Sequence, residues 1–207
     1  AKDLEKYPRT IREDTIVCNE AGADLIFSPL PEEIYPSSRC KVIAGEASRG
    51  FEGEFRPGHF DAVATVVLLL LNITQADTAY FGEKDYQQLE VIQGMVRTLY
   101  LPVKIVGCDI IRDYDEIAYS SRNVLLSKEE RSRAQSIPLT LKEVVSSIQA
   151  DPHNSKHIVE AAFNRLESSG LKVEYLSIVD EGSVSKADDL RSGSCYRLLF
   201  AGRTPSV

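Results

Sequence analysis

Basic side chains and hydroxyl groups follow two strand-like segments of the 207-residue sequence. Lys84 follows the first segment, and Arg112 and the run Ser120-Ser121-Arg122 follow the second. Ammonium, guanidinium and hydroxyl groups are the donors that proteins use to bind phosphate oxygens. Because the chain carries a net charge of −7, an anionic ligand has to be held by such a local basic cluster. The set therefore predicts a polyphosphate site.

The elements around these residues predict that both loops reach one edge of a parallel sheet. Residues 78–81 and 103–107 are typical of short buried strands, and residues 84–100 between them carry apolar side chains at the helical period. Strand–helix–strand is the unit of a parallel sheet, and ligands of such sheets bind outside the carboxyl ends of the strands. We expect Lys84 at the amino end of the helix, where unpaired N–H groups favour anions.

The remaining segments predict an α/β fold with a second, smaller domain. A helix over residues 10–21, a short buried strand over 24–28, an irregular loop over 37–55 and a buried helix over 62–73 precede the strand–helix–strand unit. This alternation favours a Rossmann-like, doubly wound parallel sheet.

The character of the sequence changes after residue 123. Ser127-Lys-Glu-Glu130 is a capping box, which predicts a helix that continues towards Gln149 with a break near Pro138. The later predicted elements are a helix over residues 154–169, ended by Gly170, and strands over 172–179 and 196–201. We therefore expect a Rossmann-like domain in residues 1–123 and a small α+β domain in residues 124–207.

Composition excludes several classes of function. The acidic net charge argues against a nucleic-acid partner, which needs a basic face. The longest apolar run, residues 62–71, is shorter than the about 20 residues that span a bilayer. The four cysteines form no CxxC pair, and Cys18 and Cys108 lie in apolar stretches, which predicts buried free thiols in a reducing, cytoplasmic compartment. His153 and His157 lack the acid of a zinc HExxH motif.

Each signal also has an interpretation that needs no ligand. Lys84 between two acids fits a solvated turn, and Ser120-Ser121-Arg122 fits a helix cap. Gln87-Gln88 fits an exposed helix face, and the segment Arg56–Phe60 fits a tight turn whose glycine has a positive φ. The joint placement of the basic residues is what favours a phosphate site.

Several motifs, in their order along the chain, resemble the pantothenate synthetase family, which is pantoate–β-alanine ligase of the nucleotidyltransferase-like α/β superfamily. They are YPRT at residues 7–10, RPGHF at 56–60, FGEKDYQQL at 81–89 and SSRN at 120–123, and KVEYLSIVD at 172–180 is similar to the family's lid region. The resemblance implies an ATP-dependent ligase that condenses pantoate with β-alanine through pantoyl adenylate and gives pantothenate, AMP and pyrophosphate. It also implies a homodimer.

The resemblance implies a set of binding residues. Lys84 and Arg122 would act on the phosphates in catalysis, Asp85 would lie on the ribose side of ATP, and Gln88 would hydrogen-bond pantoate. The full implied ATP-binding set is Gly82, Glu83, Lys84, Asp85, Ile111, Tyr119, Ser120, Ser121 and Arg122. Glu13 and Asp14 match positions that hold Mg²⁺ in some members, although the helix dipole also explains two acids in a first turn.

The sequence departs from the family pattern in three respects. The family's His-x-Gly-His helix start has no counterpart in the sequence, which begins just downstream of that position. Glu116 and Ala62 stand where the family usually has glycine, so Glu116 adds a carboxylate near the expected phosphates. Two alternatives therefore stay open. One is an impaired relative or fragment that serves as a nucleotide-binding or dimerisation module, and the other is a nucleotidyltransferase for another small acid.

Overall fold

The computed structural model of the protein describes residues 10–35, 40–187, 190–191 and 193–204. They form two compact units, one of the residues up to Cys40 with Ser120–Val124 and one of Lys41–Tyr119 with the residues from Leu125 onward. The helices are α1 (Ile11–Glu20), α2 (Pro31–Ile34), α3 (Phe51–Phe55), α4 (His59–Thr74), α5 (Tyr86–Thr98), α6 (Lys128–Ala134), α7 (Ser136–Ala150) and α8 (Ser155–Ser168). The strands are β1 (Thr78–Gly82), β2 (Lys104–Cys108), β3 (Lys172–Asp180) and β4 (Tyr196–Arg203).

The smaller unit contains α1, which confirms the predicted first helix. Its N-cap residue is Thr10, and the YPRT motif otherwise lies outside the described residues. The predicted buried strand at residues 24–28 is wrong: the segment is irregular, and Leu25 is 83% exposed. A strand requires a hydrogen-bonded neighbour, and the described part of the chain supplies none for this segment. Pro29 and Pro31, which lack a backbone N–H, follow the segment and do not extend it as a strand.

The larger unit is built around the predicted strand–helix–strand unit, which is confirmed. β1 and β2 pair in parallel from Thr78 opposite Lys104 to Gly82 opposite Cys108. The apolar stripe of α5 is buried, with Leu89, Ile92 and Val96 less than a tenth exposed. The helix itself begins at Tyr86, and Lys84 lies in the preceding 3-10 turn, Glu83–Asp85. The prediction that Lys84 occupies the first residues of the α-helix is therefore wrong by two positions.

α4 is the helix predicted from the apolar run, but it is buried on one side only. Phe60 and Ala64 pack with Val91 and Met95 of α5, whereas Ile73 is about half exposed. The segment before α3, predicted to be irregular, contains a 3-10 turn at Glu46–Ser48, and α3 itself lies in the predicted loop.

The rest of the larger unit is the predicted α+β set. The capping box is present, with Ser127 Oγ accepting from the Glu130 N–H at 3.2 Å. The helix break falls at Gln135 instead of Pro138, because Pro138 lies in the first turn of α7, where a missing N–H is tolerated. β3 and β4 are antiparallel, and α7 and α8 pack on them around Ile148 and Leu166.

A small apolar cluster joins the strand–helix–strand unit to the β3–β4 hairpin within the larger unit. Phe51 of α3 and Tyr86 of α5 pack with Val179 of β3 and Leu199 of β4, and all four are less than a tenth exposed. The hairpin therefore lies directly behind the turn that precedes α5. The division into domains at residue 123 stays a prediction.

Candidate functional site

The turn between β1 and α5 presents two charged side chains at the carboxyl end of β1. Lys84 Nζ lies 3.2 Å from Asp85 Oδ1, and their side chains are 39% and 62% exposed. Asp85 is the N-cap residue of α5, yet among the described residues its carboxylate makes no capping hydrogen bond. A Cβ at Gly82 would meet no described atom within 4 Å. Lys84 and Asp85 are therefore accessible to a ligand that approaches the turn.

Glu83, the third charged residue of this turn, is engaged inside the protein. Its carboxylate oxygens lie 2.6 and 3.5 Å from the guanidinium of Arg197 on β4. The side chain crosses Gly107 of β2, where an added Cβ would come within 3.1 Å of Glu83 Oε1. Glu83 therefore offers a ligand its backbone more readily than its carboxylate. Arg197 was missed by the sequence analysis.

The two glutamines that follow the turn have different environments. Gln87 is buried: its Oε1 accepts from the Glu52 N–H at 3.1 Å, and its Nε2 donates to three carbonyls, those of Ala47, Arg49 and Gly50. The exposed-face interpretation is therefore wrong for Gln87. Gln88 is half-buried one residue further on.

The RPGHF motif lies near the same turn. Gly58 has φ +77°, which confirms the predicted tight turn, and Arg56 Nη1 lies 3.2 Å from Glu52 Oε1 and 3.5 Å from His59 Nε2. Burial, and then the positive charge of Arg56, lower the pKa of His59, while Glu52 and Asp85 oppose this shift. Burial and Arg56 thus favour the neutral form of His59, and the negative charge of Asp85 acts on its ring.

The loop that leaves β2 folds back on itself. Arg112 and Ala118 form a β-bridge, and the Tyr119 N–H donates to the Ile111 carbonyl at 2.9 Å. Ile111 is 69% exposed and Tyr119 57% exposed, so both can contact a bound molecule. Arg112 instead closes the loop, because its Nη1 donates to the Glu116 carbonyl at 3.0 Å.

Glu116 occupies a strained position at the tip of this loop. Its φ is +66°, in the left-handed region that favours the glycine usual in the family. The carboxylate lies 3.2 Å from Lys142 Nζ on α7. The expectation that Glu116 adds a negative charge near the phosphates stays a prediction, and the structure adds an exposed lysine as the partner of that carboxylate. Ala62, at the second such position, lies exposed in the first turn of α4.

Arg131 of α6 anchors the same loop. Its Nε donates to Asp115 Oδ2 at 2.7 Å and its Nη2 to Asp113 Oδ2 at 2.5 Å, and its guanidinium lies 5.5 Å from the centre of the Tyr114 ring. The Asp115 side chain is only 2% exposed. Burial acts to raise the pKa of Asp115, but the hydrogen bonds from Arg131 and from the Ile117 N–H hold it below its usual value.

The remaining predicted site residues belong to the smaller unit. Ser120 Oγ accepts from the Arg122 N–H at 3.3 Å, in a 3-10 turn over Ser121–Leu125, so the cap interpretation fits Ser120. Glu13 and Asp14 are exposed in the first turn of α1. Carboxylates suit Mg²⁺, but nowhere in the described part of the chain do three or more possible metal ligands cluster.

The cysteines are free thiols, as predicted, but they are not buried. Cys40, Cys108 and Cys195 are exposed, and Cys18 is half-buried. Cys108 ends β2 opposite Gly82, so it lies at the edge of the sheet from which the turn after β1 and the loop after β2 both begin. Among the residues that the structure describes, no helix is both long and apolar enough to cross a bilayer.

Comparisons with known proteins identify the relatives of this chain. The family model for pantoate-beta-alanine ligase matches residues 1–206. Pantothenate synthetase of Aquifex aeolicus is 47% identical over 205 residues, which are 98% of this chain and 72% of that protein. The pantothenate synthetase structure from Thermus thermophilus has a TM-score of 0.84 at 37% identity, covering 99% of this chain and 74% of that one.

A further similar structure is that of a complex with ligands. Pantoate-beta-alanine ligase from Francisella tularensis, complexed with beta-gamma ATP and beta-alanine, has a TM-score of 0.80 at 28% identity. It covers the whole of this chain and 70% of that one. These likenesses confirm the predicted family resemblance and the predicted nucleotidyltransferase-like α/β fold. The chain thus spans about seven tenths of the length of these relatives.

Proposed function

Because the chain belongs to the pantoate–β-alanine ligase family, we propose that it condenses pantoate with β-alanine at the expense of ATP. The observation that carries the proposal is the pair Lys84 and Asp85, exposed at the carboxyl end of β1. The loop from the neighbouring strand β2 leaves the same edge and presents Ile111 and Tyr119. This edge is where parallel α/β sheets bind nucleotides.

The reaction proceeds in two substitution steps. A carboxylate oxygen of pantoate attacks the α-phosphorus of ATP, the bond to the bridging oxygen of the β-phosphate breaks, and pyrophosphate leaves. The amine of β-alanine then attacks the carbonyl carbon of pantoyl adenylate. An amide bond forms, the amine loses its proton to the solvent, and AMP leaves. Both steps depend on positioning and on neutralising developing phosphate charge.

The exposed residues of the larger unit suit parts of this reaction. Lys84 Nζ would neutralise phosphate charge, and Asp85 would accept hydrogen bonds from the ribose hydroxyls. Gly82 and the backbone of Glu83 would let the phosphates approach closely, since space is open around Gly82. Ile111 and Tyr119 would pack on the nucleotide. Gln88, half-buried beside the turn, would hydrogen-bond pantoate.

Further parts of the proposal rest on the family. Ser120, Ser121 and Arg122 would bind the phosphates, with Arg122 sharing the catalytic role of Lys84. Glu13 and Asp14 would hold Mg²⁺, which on binding supplies positive charge to the phosphates. We also propose that the protein is cytoplasmic and that it forms a homodimer. Sedimentation equilibrium of the purified chain tests the homodimer, because it measures the mass of the particle.

Product analysis tests the proposed function directly. Pyrophosphate should be released from Mg-ATP when pantoate is added, and AMP and pantothenate should appear when β-alanine follows. If Mg-ATP binds but no pyrophosphate is released with pantoate, the chain is a nucleotide-binding module. If pyrophosphate is released with other small acids but not with pantoate, it is a nucleotidyltransferase of different specificity.

A further inference from the structure

Both loops at the carboxyl ends of β1 and β2 are held in the same manner by the C-terminal part of the larger unit. Each loop presents a carboxylate and a neighbouring tyrosine ring to one arginine. Arg197 of β4 forms an ion pair with the turn after β1, and Arg131 of α6 forms one with the loop after β2. Neither arginine stands in a motif that the sequence analysis singled out.

Arg197 links the first turn to the β3–β4 hairpin through several contacts. Its Nη1 lies 2.6 Å from Glu83 Oε2, its Nη2 lies 3.0 Å from Glu181 Oε1, and its guanidinium lies 5.4 Å from the centre of the Tyr86 ring. The Tyr86 hydroxyl in turn accepts from the Gly182 N–H at 2.8 Å. Residues on both sides of Lys84 and Asp85 are thereby fixed to the hairpin.

Arg131 fixes the second loop through a comparable set. It donates to two carboxylates of the loop, Asp113 and Asp115, and lies over Tyr114 between them. The buried Ile117 lies two residues beyond Asp115, and its N–H donates to the Asp115 carboxylate at 3.4 Å, so the segment after the arginine contacts is held as well. A planar guanidinium that binds two acceptors and packs on a ring fixes direction as well as distance, which an ammonium group does not.

We propose that Arg131 and Arg197 are positioning residues of the ATP site: they hold the two loops in the geometry that binds ATP without themselves touching it. The inference rests on the proposed function, because it assigns ATP to these loops. It follows that the carboxylates of Glu83, Asp113 and Asp115 bind the two arginines and do not bind the ligand. A displacement of either loop would then weaken ATP binding from a distance.

Calorimetric titration with Mg-ATP tests this proposal on two substitutions, Arg197→Met and Arg131→Met. Each should weaken ATP binding about tenfold, which is smaller than the roughly hundredfold loss of rate that an ångström of misplacement can cause. Arg165→Met is the matched control: it removes an exposed ion pair with Glu143, which joins α7 to α8, and should leave ATP affinity within about twofold of wild type. Arg197→Lys should recover only part of the affinity.

Hydrogen exchange of the ligand-free variants supplies a readout that does not depend on ATP. Exchange should rise at the amides of residues 83–87 in Arg197→Met and at residues 113–119 in Arg131→Met, with α8 unchanged in both. Exchange that rises throughout the larger unit would show a merely structural role and overturn the proposal. Local exchange combined with unchanged ATP affinity would overturn it as well.

The two proposals fail in different ways. If the wild-type chain does not bind Mg-ATP, the proposed function fails, and the positioning roles fail with it. If the wild type binds Mg-ATP and both methionine variants bind it equally well, only the positioning roles fail. A combined Lys84→Ala, Arg197→Met variant should lose less ATP affinity than the sum of the two single losses in binding free energy, because part of the effect of Arg197→Met acts through Lys84.

Discussion

Replacing Glu116 by glycine should stabilise the protein relative to replacing it by alanine. Glu116 has φ +66°, held there by the hydrogen bond from Arg112 to its carbonyl and by the bond from its own N–H to the Asp113 carbonyl. In this region of φ and ψ, a residue with a Cβ lowers the free energy of unfolding by about 1–2 kcal/mol. Glycine avoids that loss but makes the unfolded chain more flexible, which costs about 0.4–1 kcal/mol.

The free energy of unfolding of the glycine variant should therefore exceed that of the alanine variant by about 1 kcal/mol. Both variants lose the ion pair with Lys142, so its contribution of about 0.2–1 kcal/mol cancels between them. For a chain of 207 residues the gain corresponds to a rise in melting temperature of about 2–4 °C. Far-UV circular dichroism during urea and thermal unfolding measures both quantities, since the sequence contains no tryptophan to report by fluorescence. An alanine variant as stable as the glycine variant would refute the left-handed conformation of Glu116.

Gln87→Leu should lower the free energy of unfolding by about 2 kcal/mol, because the buried Gln87 amide bonds the Glu52 N–H and the carbonyls of Ala47, Arg49 and Gly50, and these partly buried groups lose their partner. Gln88→Leu, one residue on, should change it far less, and equal losses would contradict the role given to Gln87. His59→Asn should make the free energy of unfolding less sensitive to acid. Burial and Arg56 lower the pKa of His59 in the folded state relative to the unfolded state. The contribution of His59 to the free energy of unfolding is therefore full above about pH 6.5 and is lost as the pH falls through the lowered pKa. Urea unfolding of both forms at about pH 7 and pH 5 checks this, and identical pH dependence would refute it.

The strand–helix–strand unit could be predicted from the sequence because its signals are local. The helical period of Leu89, Ile92 and Val96 lies within one element, and β1 and β2 are short apolar runs bounded by turn residues. The segment 24–28 has the same kind of apolar composition but is not a strand, since composition does not supply the neighbouring strand that pairing requires.

The sequence predicted the site residues that are exposed to solvent. It did not predict the residues whose side chains bind a partner far away in the sequence. Lys84 and Asp85 are exposed at the predicted edge of the sheet. Glu83, between Gly82 and Lys84, was assigned to the same ligand because nothing local distinguishes it. Its partner Arg197 lies 114 residues away, and the carbonyls bound by Gln87 lie 37–40 residues before it. Such pairings are set by tertiary packing, which the helical and strand periods do not encode.

Calorimetric titration with Mg-ATP of the wild-type chain and of Lys84→Ala tests the central claim most directly. We predict that the wild type binds Mg-ATP and that Lys84→Ala binds it at least about tenfold more weakly, since a charge-assisted hydrogen bond contributes about 1.5–3 kcal/mol. Lys156→Ala, on the exposed face of α8, should bind as the wild type does. Equal affinity of the wild type and Lys84→Ala would contradict the assignment of the phosphates to the turn between β1 and α5.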